Sequence, residues 1–382
     1  MRIAYYLVDY TALGGIQTHL MTLATAVSQL GHDVHVVLPG TAVLDPMVAP
    51  LTAGGVTVHR LSNNPFTRKD RIVFITTLAR LLRQIRPDLL HIQQSIPGYD
   101  QKAPLIAKLV GVPLTLITEH DYPRPLGGLR DKLLPWLTHL VDGVITVSNF
   151  SRHLLTNDPY PQDKIAVVYN GIDLEQFEYA QEATDRPFSK LFTIGYLGRL
   201  ESHKGIDDLV HAAALLVPNH PDLHVNISGN GPERPSLEAL AKALGIAEHV
   251  HFLGRVPEAA EFLRQLDIFV LPSRFEAFGL VAAEAMAVGT PAIVSDAGGL
   301  PEVVADGETG FVVPMDDPVA LATAVAKLKD DAILRQQFIQ AGKQRSARCF
   351  SAKRMAAETV QLYRKQLRMR SNPIALKSHH AG

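Results

Sequence analysis

One cysteine, Cys349, stands in 382 residues. A disulfide framework and a cysteine metal site are both excluded, and a reducing compartment fits best. No apolar run approaches the roughly 18 residues that a membrane-spanning helix requires. Neither sign of charge is in excess: the formal net charge is -1, which gives no overall reason to expect nucleic acid. The Gly-x-Gly-x-x-Gly spacing of a dinucleotide fold is absent, which weakens an NAD or FAD reading. No Asp-x-Asp triplet occurs either, so no cofactor and no dedicated metal site are expected. The chain opens on a strand-like run, Arg2-Ile3-Ala4-Tyr5-Tyr6-Leu7-Val8, with no signal segment before it. A soluble cytoplasmic protein is the expectation, with peripheral contact at the inner face of a membrane left open.

What is present is ordinary for a globular protein: 47% hydrophobic and 20% charged residues, over a length suited to two domains. Local charge is uneven. Between Arg60 and Lys132 stand 12 Lys/Arg against 6 Asp/Glu, and from Tyr363 to Gly382 five Lys/Arg and no acid. Solvated helix faces account for this; attraction to an anionic membrane surface or an anionic acceptor is the sharper alternative. Leu133-Leu134-Pro135-Trp136-Leu137, beside Arg130 and Lys132, fits either a bilayer contact or core packing.

Short apolar runs alternate with amphipathic stretches. Strands are expected over 3–8, 34–38, 56–59, 89–92, 114–118 and 144–147, with helices such as 16–30, closed by Gly31, and 70–85, stopped by Pro87. A polar stretch over 178–187 without apolar periodicity reads as a linker. The alternation then restarts, with strands over 192–197, 224–228, 250–252, 268–271 and 292–294. Helices are expected over 206–216, 234–244, 259–266, 279–288, 317–329 and 333–345, and a basic helix over 352–369. The fold class is therefore α/β: two tandem Rossmann-like, doubly wound units with parallel sheets. Ligands of such sheets bind at the carboxyl ends of the strands, and two facing units imply an interdomain cleft. The boundaries place an N-terminal domain at 1–178, a second domain at 179–350, and a terminal helix with a basic tail at 351–382.

The chemistry concentrates at 272–302. Pro272-Ser273-Arg274-Phe275-Glu276-Ala277-Phe278-Gly279 follows an apolar strand and leads into an Ala-rich helix that carries Glu284; Gly298-Gly299-Leu300-Pro301-Glu302 closes the stretch. A strand end, a glycine turn and a helix N-terminus make an anion site, so the amides of Phe278, Gly279 and Leu280 can hold phosphate. Acidic groups beside an anion are costly unless they bind hydroxyls, so the ligand is a phosphate compound that carries sugars. Gly279 to Glu284 spans roughly 7–8 Å of helix, which suits one carboxylate on a transferred sugar and one on a ribose. Two carboxylates can also hydrolyse glycosides, but that reading leaves the cations unexplained, and simple capping with a solvated Glu284 is the bland alternative.

Those cations lie in Gly198-Arg199-Leu200-Glu201-Ser202-His203-Lys204-Gly205, the first strand-to-helix turn of the second unit. Arg199 presents a rigid fork and Lys204 a mobile point charge, a pair suited to a departing diphosphate. Ser228-Gly229-Asn230-Gly231-Pro232 also follows a strand, and its glycines permit close approach to a nucleotide; Phe252-Leu253-Gly254-Arg255 can wall a base. In the first unit, Gly14 and Gly15 occupy the matching turn. His120, at the end of a strand in Thr118-Glu119-His120-Asp121, can bond a sugar hydroxyl or orient an acceptor. The other histidines show no convincing ligand spacing.

Taken together these residues resemble glycosyltransferase family 4, the retaining enzymes of GT-B architecture. The pieces that carry the resemblance run in order from Gly14-Gly15 through His120, Ser148 and Asn170-Gly171-Ile172-Asp173 to Gly198-Arg199 and Lys204-Gly205. Gly229-Asn230-Gly231-Pro232, Glu276 and Glu284 with seven residues between them, and Gly298-Gly299 complete the set. The Glu pair within its Phe-Gly-Leu and Glu-Ala-Met surroundings is the specific element. The resemblance implies a UDP- or GDP-sugar donor on the second unit and a sugar, lipid-linked or small-molecule acceptor on the first, with retention at the anomeric carbon. It implies Arg199 and Lys204 on the diphosphate, Glu284 on the ribose and Glu276 on the sugar. Gly14 and Gly15 would lie near the phosphates and His120 near the sugar. The acceptor-binding residues stay unassigned. Phe350-Ser351-Ala352-Lys353 lacks a tryptophan often found at that point. An epimerase or hydrolase of the same fold, or a non-catalytic sugar-nucleotide binder, are the alternatives.

Overall fold

A computed structural model describes residues 1–8, 14–61, 68–95, 102–120, 138–155, 161–178 and 191–371. The chain divides into two compact units, one formed by Met1–Gly171 with the chain from Ala352 onward, the other by Ile172–Ser351. Most of the polar stretch at 178–187, the apolar run at 133–137 and the chain after Ser371 lie outside the described residues.

The first unit holds seven strands: β1 (Arg2–Leu7), β2 (Asp33–Leu38), β3 (Thr57–Arg60), β4 (Leu89–Gln94), β5 (Leu114–Glu119), β6 (Gly143–Thr146) and β7 (Ile165–Val167). They stand in the order β3-β2-β1-β4-β5-β6-β7, with every neighbouring pair parallel. All six residues of β4 and of β5 are buried, the continuous burial of a sheet covered on both faces. The terminal helix, Ala352–Ser371, packs against the helix Gly15–Gln29. Its Tyr363 is buried among Tyr5 and His91: His91 lies 2.5 Å from the Tyr363 hydroxyl through Nδ1 and 2.7 Å from Thr118 Oγ1 through Nε2. The Tyr363 hydroxyl in turn donates to that of Tyr5 at 3.1 Å. A polar network thus ties this last helix to the strands whose ends carry the first-unit residues of interest.

The second unit holds β8 (Phe192–Leu197), β9 (Leu223–Ser228), β10 (Val250–Gly254), β11 (Ile268–Leu271), β12 (Ala292–Ser295) and β13 (Gly310–Val313), in the order β10-β9-β8-β11-β12-β13. These pairs too are parallel. In both units the strand order reverses beside the first strand, between β1 and β4 and between β8 and β11, and a ligand of such a sheet binds at that switch. The two Rossmann-like units are those expected from the alternation. The edge strands β7 and β13, three and four residues long, fall outside the expected set. Among the described residues no helix is long and apolar enough to cross a membrane.

Candidate functional site

In the second unit the loops after β8, β9 and β11 meet at the switch point. The β8 and β9 loops are laced by backbone: Leu200 N–H donates to the Asn230 carbonyl at 3.0 Å and Glu233 N–H to the Leu200 carbonyl at 3.0 Å. The fit is close enough that a Cβ on Gly229, whose φ is +139°, would stand 1.7 Å from the Gly198 carbonyl oxygen. Gly205, at φ +62°, meets the β11 loop in the same way: a Cβ there would stand 2.0 Å from the Pro272 carbonyl oxygen. Glycine is needed there for loop to meet loop, apart from any ligand.

This lacing brings two of the expected residues together. Lys204 Nζ donates to Glu276 Oε2 at 2.7 Å, and both side chains are largely withdrawn from solvent. Arg199 does not join them; it pairs with Glu201 at 2.5 Å and is exposed. Beside the ion pair stands a residue that sequence reasoning passed over, Arg274. Its guanidinium donates in bidentate fashion to Asp207 at 2.8 and 2.8 Å, and it reaches Asp208 at 3.2 Å, Asp316 at 2.6 Å and the Ser202 carbonyl at 2.8 Å. The Arg274 backbone N–H also donates to the His203 carbonyl at 2.8 Å. One planar fork therefore fixes the loop carrying Lys204 to the loop carrying Glu276. The Asp207 pair drives the effect: hydrogen bonding to Arg274 holds the Asp207 carboxyl below its usual range. Asp208 is raised instead, by burial and then by the neighbouring Asp207 charge. Arg274 was visible in sequence only as one letter of a motif; three aspartates at distant positions gave no pattern that announced it.

The helix Leu280–Val288 starts immediately after Gly279, which is left-handed at φ 96°. Its first internal hydrogen bond runs from Ala282 to Gly279, so the Leu280 and Val281 amides have no partner within the helix and, with the helix dipole, favour an anion. Phe278 is buried and meets Phe350 edge to face at 5.5 Å, which anchors the turn. Glu284 lies four residues further along and makes no hydrogen bond among the described residues. Burial pushes its carboxyl up to about 7. Gly198, Gly229, Asn230 and Gly231 sit in the same group of strand ends.

Gly14, Gly15 and His120 belong to the first unit. Gly14 caps the helix Gly15–Gln29 in extended backbone at φ -161°, its N–H donating to Gln17 Oε1 at 2.9 Å. Among the described residues an added Cβ would meet nothing nearer than Gln17 Oε1 at 3.7 Å, and the extended backbone makes no demand for glycine. His120 follows β5 and is tied through Nε2 to Gln93 Oε1 at 2.8 Å. Its ring meets that of His19 at 4.5 Å and 71°. His19 is buried, neither ring nitrogen has a hydrogen-bond partner, and Asn170, whose Oδ1 is also unpartnered, faces it. Burial pushes His19 down to about 4 and His91 to about 3; His120 is held well below the usual range, by burial first and then by those two rings. His19 and Gln93 were not singled out in sequence. His19 falls three residues inside a helix expected only to pack, and Gln93 one residue past the strand expected over 89–92, which in the structure extends to Gln94. Among the described residues no group of three or more His, Cys, Asp or Glu is arranged to hold a metal ion.

The family described as Glycosyltransferase Family 4 matches residues 13–176, and that described as Glycosyl transferases group 1 matches residues 181–345. A glycogen synthase of Mycobacterium tuberculosis is 30% identical over 92% of this chain and 91% of its own. A D-inositol 3-phosphate glycosyltransferase of Corynebacterium urealyticum is 31% identical over 92% of this chain and 90% of its own. Among solved structures, a glycosyltransferase from Rickettsia africae superposes with a TM-score of 0.82 at 20% identity, over 96% of this chain and 98% of that one. HepE of Anabaena, in complex with UDP and glucose, gives 0.80 at 19%, over 96% and 100%. At these identities the solved structures bear on fold alone.

Proposed function

Because this chain belongs to glycosyltransferase family 4, with the paired Rossmann-like units of the GT-B fold, we propose that it moves a sugar from a UDP- or GDP-sugar to an acceptor hydroxyl, with retention at the anomeric carbon. That it is a glycosyltransferase acting on a sugar donor follows from its kinship. The donor class and the stereochemistry are carried over from the family resemblance, and the residue roles are supported by the geometry of the site.

The observation that carries the reading is the Lys204–Glu276 pair at 2.7 Å, adjoining the start of the helix that bears the unpartnered Glu284. A diphosphate placed at the Leu280 and Val281 amides competes with Glu276 for the Lys204 ammonium. Lys204 then turns to phosphate, and Glu276 is released to accept hydrogen bonds from sugar hydroxyls. Arg199, already exposed, exchanges Glu201 for phosphate. Glu284, projecting from the same helix, accepts the ribose hydroxyls. The charge that develops on the leaving diphosphate is offset by two cations and a helix N-terminus without calling on a metal.

Retention follows from a same-face substitution. The acceptor oxygen forms its bond to the anomeric carbon on the face from which the diphosphate departs, the bond from that carbon to the leaving phosphate oxygen breaks, and the same phosphate oxygen takes the acceptor proton. Cations and positioning suffice for this route. Trapping a covalent glycosyl-enzyme on a carboxylate of this chain would overturn it. Gly14, which carries no side chain, lets the backbone approach the donor phosphates closely, and His120 meets the sugar. For a lipid-linked acceptor, the basic end of the terminal helix at Arg364, Lys365, Arg368 and Arg370 suits an anionic inner membrane face.

Turnover with UDP- and GDP-sugars tests the assignment. Lys204→Ala and Glu284→Ala each lower it by about 100-fold or more, the scale of one such electrostatic group; near-normal turnover in both overturns the site. Incubation with donor alone, yielding neither epimer nor free sugar at the rate of transfer, separates transfer from epimerisation and hydrolysis.

A further inference from the structure

We infer that Gln93 is a positioning residue which fixes His120 in its Nε2–H tautomer, so that His120 meets the transferred sugar through the bare Nδ1 lone pair and accepts a hydrogen bond from a sugar hydroxyl. The inference rests on the reading of His120 as a sugar contact and adds the direction of the hydrogen bond and the residue that sets it.

The geometry starts in the sheet. β4 and β5 run in parallel register with Gln93 opposite Thr118 and Gln94 opposite Glu119. The ladder continues one step beyond β5, where His120 N–H donates to the Gln94 carbonyl at 3.1 Å. That step sets the His120 ring beside the Gln93 side chain, and Gln93 Oε1 lies 2.8 Å from His120 Nε2. An amide oxygen only accepts, so the imidazole nitrogen facing it carries the proton. A neutral imidazole has one ring proton, which leaves Nδ1 an acceptor.

Three further facts keep that arrangement. Gln93 is completely buried, so water does not compete for its oxygen. The neighbouring glutamine is engaged elsewhere, with Gln94 Nε2 donating to Glu119 Oε1 at 2.8 Å, so the two consecutive glutamines serve different partners. His19 stands against the His120 ring edge-on and restricts its rotation. Among the described residues the titratable groups facing His120 are His19 and His91, with Glu119 preceding it in the chain; burial and the two rings all disfavour the imidazolium, so the ring stays neutral and its proton count fixed. A neutral acceptor selects a substrate that offers a hydroxyl hydrogen at that point, and a deoxy or methoxy sugar cannot supply one.

Nitrogen-15 spectra of the whole protein, with His120→Gln used to assign the ring, read the tautomer directly. The expected result is a protonated Nε2 and a bare Nδ1 in the wild type. Gln93→Met, similar in volume and without the carbonyl, releases the ring into a mixture of tautomers and lowers turnover about tenfold with KM little changed, the scale of one hydrogen bond. Gln93→Glu keeps the proton on Nε2 and moves the His120 titration upward. A wild-type proton on Nδ1, as an amide turned over would impose, overturns the inference even if no variant folds, and so does a tautomer unchanged in Gln93→Met. Normal transfer by His120→Ala would instead sink the reading of His120 as a sugar contact, whatever the spectrum shows.

Discussion

Lys204 and Glu276 reach each other at 2.7 Å from loops that end adjacent strands, β8 and β11. Neither side chain is more than 20% exposed, so removing one partner leaves the other charge poorly solvated and unpaired. Lys204→Met is therefore expected to cost stability as well as turnover. The double variant Lys204→Met with Glu276→Gln recovers stability, because no lone charge remains, and does not recover turnover. Urea unfolding and initial rates on the four proteins of the cycle check this. Equal recovery of both would show that the pair is structural only.

Arg274 is expected to act on the same site without touching a ligand. Lysine keeps the charge and loses the planar fork that holds Asp207, Asp208, Asp316 and the Ser202 carbonyl at once. Partly exposed ion pairs are weak singly, so Arg274→Lys lowers stability by only about 1–2 kcal/mol as a network loss. Turnover falls further than stability does, because the Lys204 loop is no longer pinned to the Glu276 loop. A urea midpoint and a kcat measured well below the unfolding transition separate the two effects.

Two glycines are expected to respond in opposite ways. Gly229→Ala drives a methyl to within 1.7 Å of the Gly198 carbonyl oxygen and costs about 2–3 kcal/mol or more through overpacking. Gly14→Ala meets nothing nearer than 3.7 Å among the described residues and costs no more than about 1 kcal/mol, the difference between glycine and alanine at a helix N-cap. If the Gly14 backbone lies against donor phosphate, that variant loses turnover out of proportion to its small loss of stability. Thermal melts beside kinetics read the contrast.

Much of this arrangement was legible in the chain itself. Apolar runs such as Asp267-Ile268-Phe269-Val270-Leu271 are buried strands because a parallel sheet hides both faces, and β11 occupies Ile268–Leu271. The Glu276 and Glu284 spacing was legible because a helix start follows one fixed geometry. Arg274 and Gln93 were not. Each acts through partners distant in sequence, 67 residues away at Asp207 and 27 at His120, and a local pattern carries no trace of them. The glycines of 229–231 were legible as a tight turn, while their packing against the neighbouring loop required the loop itself.

The two buried histidines make the first unit sensitive to acid. Burial lowers His19 to about 4 and His91 to about 3, against about 6.5 in the unfolded chain. Above about pH 6.5 both states are neutral and the shift has no effect. As pH falls below that value the unfolded chain takes up protons that the folded one refuses, so stability declines, by at most about 1.4 kcal/mol per pH unit for each ring. The decline from His19 ends near pH 4 and that from His91 near pH 3. Urea unfolding at pH 7.5, 6, 5 and 4.5 follows the trend, and His19→Leu makes it shallower. A pH-independent midpoint over that range would contradict the burial of both rings as neutral groups.

Glu284 carries the opposite dependence, and it bears on the donor. Its carboxyl rises from an ordinary 4.5 to about 7 through burial, so keeping it ionised costs the folded state free energy that appears as pH rises from the unfolded value through about 7. Below that pH the group is largely protonated. A ribose diol held by two hydrogen bonds prefers the ionised form, which accepts both. Binding then expels a proton at low pH, and nucleotide affinity rises as pH increases, approaching tenfold per unit below about 7 and levelling above it. The phosphates of the nucleotide titrate in the same region, so the measurement is a comparison. Titration calorimetry of UDP and of GDP from pH 5.5 to 8.5 is run on the wild type and on Glu284→Gln, which cannot ionise. The wild type is expected to show the steeper rise and to release more protons on binding at pH 6. Equal slopes in the two proteins would place the ribose somewhere other than Glu284, whatever the effect of the substitution on turnover.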